Sequence, residues 1–103
     1  MADTTVQLRR YRLAPGARES FLAFWRDTVM PVRRDHGFDL VFAYLIPETD
    51  EFVWAVSHGG DATAFAEADR AYQESPDRRA AFQDQPRRVV EQLVHLVEPA
   101  RSP

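Results

Sequence analysis

The chain contains no cysteine and no lysine. The first absence excludes disulfides, thiolate nucleophiles and thiolate metal centres, and it fits a cytoplasmic protein. The second excludes Schiff-base chemistry. All thirteen basic residues are arginine, and the planar, permanently charged forks of arginine suit carboxylate or enolate oxygens. No apolar run approaches a membrane span. Met1-Ala2-Asp3-Thr4 lacks the basic and apolar regions of a signal peptide. The formal net charge of −3 argues against a general nucleic-acid binder. The three histidines have no metal-ligand spacing, and no nucleotide-binding motif is present, so no metal or tightly bound cofactor is expected.

What is present is one alternating α+β pattern. A chain of 103 residues with 45% hydrophobic content is expected to form one domain spanning residues 1–103, with an ordered core over about residues 5–98. From about Thr5 to Leu13 the strand alternates, with Val6, Leu8, Arg10 and Arg12 on one face and Gln7, Arg9, Tyr11 and Leu13 on the other. Pro15-Gly16 makes a tight turn into a helix from about Ala17 to His36, where Pro31 predicts a kink near Arg26 to Asp27. Gly37 is the expected cap. Phe38 to Ile46 and Phe52 to His58 read as paired strands, with Tyr44 opposite Ala55 and Leu45 opposite Trp54. Asp61 and Ser75-Pro76 start two further helices, the second passing through Ala81 and Phe82. Arg88 to Val97 forms the fourth strand, and the tail Arg101-Ser102-Pro103 is expected to fray.

The order is βαββαβ, a ferredoxin-like four-stranded antiparallel sheet. A sheet covered by helices on one side should have one polar face. Here the second and fourth strands are apolar on both faces, which predicts a second layer, most simply a second copy of the same sheet.

The stretch Leu8-Arg9-x-Tyr11-x-Leu13-x-Pro15-Gly16, the late Pro31, His36-Gly37-Phe38 and the Asp61-led helix together resemble NIPSNAP-type domains of the dimeric α/β-barrel superfamily. The resemblance covers about Gln7 to Glu98. It implies a homodimer in which two sheets close a barrel. It also implies kinship with cofactor-free monooxygenases, small-molecule cyclases and isomerases, and haem-handling enzymes. Gln7 stands where that family often carries an acid, and His58-Gly59-Gly60 replaces an aromatic common after the third strand.

His58 is the leading chemical candidate. It sits at a strand end beside two glycines that permit close approach, with a side chain able to move protons near neutral pH. Tyr44 and Tyr72 would position a ligand, Arg10 would hold an anionic oxygen or pair with Asp39, Glu91 or Asp69, and Asp69 is a possible acid or base. Trp25, Trp54, Phe42 and Phe65 would complete a flat aromatic pocket, or simply form the core. His36 is expected to complement a helix dipole and His95 to be half-buried on the fourth strand. Arg9 and Tyr11 are expected at the dimer or barrel layer. The doublets Arg33-Arg34, Arg78-Arg79 and Arg87-Arg88 read as solvated charge.

The resemblance, with the absence of nucleotide, metal or cysteine motifs, implies a small-molecule enzyme of bacterial specialised metabolism, performing oxygenation, cyclisation or isomerisation of an aromatic or polyketide-like substrate. The alternatives are a non-catalytic binding or stress-associated module, and a haem-binding relative with His58 or His95 as axial ligand.

Overall fold

Alternation decides the first strand. In the computed structural model, which describes residues 3–100, β1 (Thr4–Leu13) buries Gln7, Arg9, Tyr11 and Leu13 and leaves Arg10 and Arg12 exposed. The expected tail, Arg101 to Pro103, lies outside the described residues.

Ala14 to Ala17 close the Pro-Gly turn with an Ala17 N–H to Ala14 carbonyl bond of 3.0 Å. A continuous helical rod follows: α1 (Arg18–Phe24), a π-helical turn (Trp25–Val29) and α2 (Met30–Asp35). Pro31 lacks the N–H that would reach the Asp27 carbonyl. The rod widens just before it, and the Met30 N–H bonds to the Trp25 carbonyl five residues back. The perturbation falls where the sequence predicts, in the form of a widened turn. Gly37 then adopts φ 88°, and the Gly37 and Phe38 N–H groups return to the carbonyls of Arg34 and Arg33. A Cβ on Gly37 would sit 3.2 Å from His58 Nε2.

β2 (Asp39–Ile46) and β3 (Glu51–Gly59) pair antiparallel, two residues away from the expected register: Tyr44 faces Val53, and Trp54 faces Ala43. Pro47 cannot donate to the ladder, so pairing stops at Ile46 with Glu51. Arg18 clamps the turn by donating to the Pro47 carbonyl and the Asp50 carboxylate. Because the slip is even, side-chain faces are preserved. Trp54 lies on the helix-covered face and Tyr44 on the open one.

α3 (Ala62–Gln73) begins at Asp61, whose carboxylate accepts from the Ala64 N–H at 2.9 Å. α4 (Pro76–Phe82) begins at Ser75, whose hydroxyl accepts from the Arg78 N–H and donates to the Tyr72 carbonyl. β4 (Val89–Val97) completes an antiparallel sheet of order β2-β3-β1-β4. This is a ferredoxin-like α+β fold.

The core is Tyr11, Leu13, Phe52, Trp54 and Val56 from the sheet against Phe21, Val29, Met30, Phe65 and Tyr72 from the helices. The opposite face is bare: Tyr44 is 69% exposed and Leu93 55% exposed. His95 is exposed there, across from Leu8, rather than half-buried. Among the described residues, no helix is long and apolar enough to cross a membrane.

Candidate functional site

Two arginines on the covered side define the site. Arg9 enters from β1, on the same strand face as Tyr11. Its Nε donates to Gln7 Oε1 at 2.8 Å and its Nη1 to the Tyr11 hydroxyl at 2.9 Å. Arg33 enters from α2, on the helical stripe that carries Phe21, Trp25 and Val29. It is 2% exposed and donates from Nη1 to Asp69 Oδ1 at 3.0 Å. Its guanidinium carbon lies 4.2 Å from the Tyr72 ring centre and 4.8 Å from that of Phe38. The guanidinium carbons of Arg9 and Arg33 each lie 5.9 Å from the Trp54 ring centre.

Arg9, Tyr11, Arg33, Trp54 and Tyr72 line a cavity of about 600 Å³ between the sheet and the helices. Tyr11 and Trp25 meet Trp54 edge-on, with ring centres 6.1 and 5.6 Å away. At the rim, Arg78 stacks on Phe82 and Arg88 on Phe24. Among the described residues that line it, five are arginine and one, Glu91, is a carboxylate. Burial lowers the Arg33 pKa from its ordinary value, and the neighbouring Arg9 lowers it further. Burial also raises the Tyr72 hydroxyl. The Arg33 Nε and the indole N–H groups of Trp25 and Trp54 are buried with no hydrogen-bond partner among the described residues.

Of the residues expected to form the site, Trp25, Trp54 and Tyr72 line this cavity and the others do not. Arg10 lies on the open face, where two of its nitrogens grip the Glu51 carboxylate at 2.8 and 2.9 Å. Glu51, not Asp39, Glu91 or Asp69, is its partner. That grip, with a bond from Thr49, holds the Glu51 carboxyl down to about 2. Tyr44 and Phe42 also share the open face, with ring centres 5.8 Å apart. Asp69 stands behind the cavity as the counter-ion of Arg33.

His58 turns its Nδ1 to the Gly59 carbonyl at 2.8 Å and packs against Phe38 and Phe65. The space beside Gly60 is filled: a Cβ there would lie 2.8 Å from the Ala64 Cβ. The glycine therefore admits the first turn of α3. His36 bridges to Asp77 at 3.0 Å, so its partner is a carboxylate on α4 as well as a helix end.

Sequence reasoning missed Arg9, Tyr11, Arg33 and Arg78. The alternation of β1 placed Arg9 with Tyr11 correctly but not on the helix-covered side. Arg33 was hidden in a doublet, although its spacing of four from Val29 puts it on the apolar stripe. Among the described residues, no histidine or methionine lines the cavity, so its residues do not fit a haem held by His58 or His95. Among the described residues, no cluster of three metal-ligating side chains occurs.

The sequence matches no protein-family model and no curated protein. Solved structures match across nearly the whole chain. An uncharacterised NIPSNAP-like domain protein from Burkholderia xenovorans superposes with a TM-score of 0.81 at 16% identity, covering 97% of this chain and 89% of that one. A NIPSNAP family protein from Agrobacterium tumefaciens gives 0.82 at 13% identity, covering 95% and 94%. A proposed antibiotic biosynthesis monooxygenase from Bacteroides thetaiotaomicron gives 0.65 at 14% identity, covering 96% and 90%. At these identities the likeness is one of fold.

Proposed function

We propose that the chain is a small-molecule enzyme that holds a flat aromatic or polyketide-like substrate between sheet and helices and works without a tightly bound cofactor. The observation that carries this is the cavity: about 600 Å³, walled by Tyr11, Trp25, Trp54 and Tyr72, with two buried guanidinium groups on its wall. Fixed positive charge on the wall of a site stabilises negative charge that develops on oxygen. The reactions that suit it pass through an enolate or phenolate: proton-transfer cyclisation or isomerisation, and oxygenation of an electron-rich ring by dioxygen. The likeness in fold to a proposed monooxygenase supports the same choice.

A second reading is favoured by one observation. Among the described residues, no histidine lines the cavity, and its one carboxylate, Glu91, is 66% exposed. A site without a buried base suits a module that binds such a molecule and does not transform it.

The working unit in this proposal is a homodimer joined through the open sheet face. Tyr44, Leu93 and Val97 form exposed apolar surface there, and burying it would remove the cost of its hydration. Leu93→Asp should halve the mass seen in sedimentation with the fold intact; an unchanged mass, or a monomeric parent chain, refutes the dimer. A panel of flat aromatic and polyketide-like compounds, followed by tryptophan fluorescence and mass spectrometry of the products, tests the function. Turnover supports the enzyme and binding alone supports the module. If the folded protein binds none of them, both fail.

A further inference from the structure

The charges around Trp54 do not balance. Two guanidinium groups flank one indole, and the carboxylate among them, Asp69, belongs to Arg33. Arg9 is 8% exposed and its partners, Gln7 and the Tyr11 hydroxyl, are neutral. Arginine does not shed its proton in proteins. Leaving such a charge buried and uncompensated is costly. Burial is the main cause of the depressed pKa of Arg33, and the nearby Arg9 lowers it further.

The donors do not balance either. Arg9 uses Nε and Nη1 but makes no hydrogen bond from Nη2 among the described residues. The Arg33 Nε and the two indole N–H groups are also unpartnered. Buried donors without acceptors are rare in folded proteins. Here four buried ones, the Arg33 and Arg78 Nε and the two indole N–H groups, sit on residues that line one cavity, where aromatic rings share the wall with Val90, Gln92 and Val94.

We propose that the substrate is an aromatic carboxylate, already ionised when it binds, whose carboxylate lies against Arg9 and Arg33 while its ring system packs among Tyr11, Trp25 and Trp54. This rests on the cavity being the ligand site and adds the charge and chemical class of the ligand. The planar, two-oxygen carboxylate matches the guanidinium fork, and it supplies the missing negative charge. A phenol or a neutral polyketide of the same size would leave Arg9 uncompensated. Arg9 and Arg33 therefore select for charge, and the aromatic walls select for flatness.

The test uses a matched pair of probes, 2-naphthoate and 2-naphthamide, which share ring and shape and differ in charge. In calorimetric titration of the full chain at neutral pH, naphthoate should bind at least about tenfold more tightly, a difference of about 1.4 kcal/mol. Arg9→Gln should remove most of that preference, Arg9→Lys should restore part of it, and Arg70→Gln, on an exposed position of α3, should leave it unchanged. In the unaltered protein, the side-chain N–H resonances of Arg9 and Arg33 should shift on adding naphthoate. Their response keeps the proposal testable if Arg9→Gln does not fold. Equal binding of the two probes overturns the carboxylate proposal and leaves the cavity reading standing. Failure of both probes to bind overturns both. A preference for naphthoate that survives Arg9→Gln, with no shift at Arg9 or Arg33, places the anion elsewhere and overturns the proposal.

Discussion

Replacing Asp69 with Asn removes the one carboxylate that answers Arg33 and keeps an oxygen able to accept its hydrogen bond. What is lost is therefore charge rather than contact. Breaking a buried ion pair by neutralising one partner costs about 3–5 kcal/mol. Arg33 is almost wholly enclosed, but Asp69 is 23% exposed and the pair makes a single contact at 3.0 Å. Stacking of the guanidinium on Tyr72 and Phe38 also remains. The expected loss is reduced accordingly, to about 2–3 kcal/mol. With a urea dependence of about 1.5 kcal/mol per molar for a chain of this size, the unfolding midpoint should fall by about 1.3–2 M. Fluorescence of Trp25 and Trp54, both beside the site, reports the transition. Adding Arg33→Met to Asp69→Asn should recover much of the loss, because the orphaned charge leaves with its partner; the double-mutant cycle isolates that coupling. A loss below about 0.5 kcal/mol for Asp69→Asn, within the usual range for an unimportant surface change, would refute the charge argument made for Arg33.

Three further outcomes are expected. His58→Ala should change naphthoate affinity by less than about twofold while lowering stability by roughly 1 kcal/mol through lost packing on Phe38 and Phe65; a tenfold loss of binding or turnover would return His58 to the site. The Glu51 carboxyl, ordinarily near 4.5, is held at about 2 in the folded chain, so its stabilising contribution is present above pH 4.5 and is lost as pH falls toward 2; a Glu51→Gln variant should lack that part of the acid sensitivity, and identical pH profiles for variant and parent would contradict it. Ser75→Ala should cost about 1 kcal/mol in a urea titration by removing the cap of α4, and no change would show that the bond to the Tyr72 carbonyl and the cap are dispensable.

Much of the fold was legible because its signals are local. Period-two alternation sorted the faces of β1, Asp61 and Ser75 announced their helices, and Gly37 announced a turn. The hairpin register was not legible, because it depends on where Pro47 ends the ladder and on Arg18 reaching in from another element. The site was less legible still. Arg9 and Arg10 are adjacent and chemically identical, yet one is buried among aromatics and the other is exposed beside Glu51. Which is which depends on the side of the sheet the helices take. His58 drew attention through its neighbouring glycines, but Gly60 makes room for Ala64, a contact across the chain that no spacing reveals.

The widened turn at Trp25–Val29 has a consequence for how the length of this chain can vary. An α-helix advances about 100° per residue, so an ordinary helix that gains or loses one residue re-aims everything after it. A π-helical turn holds one extra residue while keeping the helix on either side in phase. Arg33 stands eight positions after Trp25, yet both line the same cavity; the widened turn gives them the phase of residues seven apart. A descendant of this sequence that drops a single residue between Arg26 and Thr28 and replaces Pro31 can close the turn into regular helix with Trp25 and Arg33 still aimed together. The same deletion two turns earlier would swing both away. Among sequences sharing this fold, the helix is thus expected to tolerate a one-residue gap at this place and to resist one elsewhere.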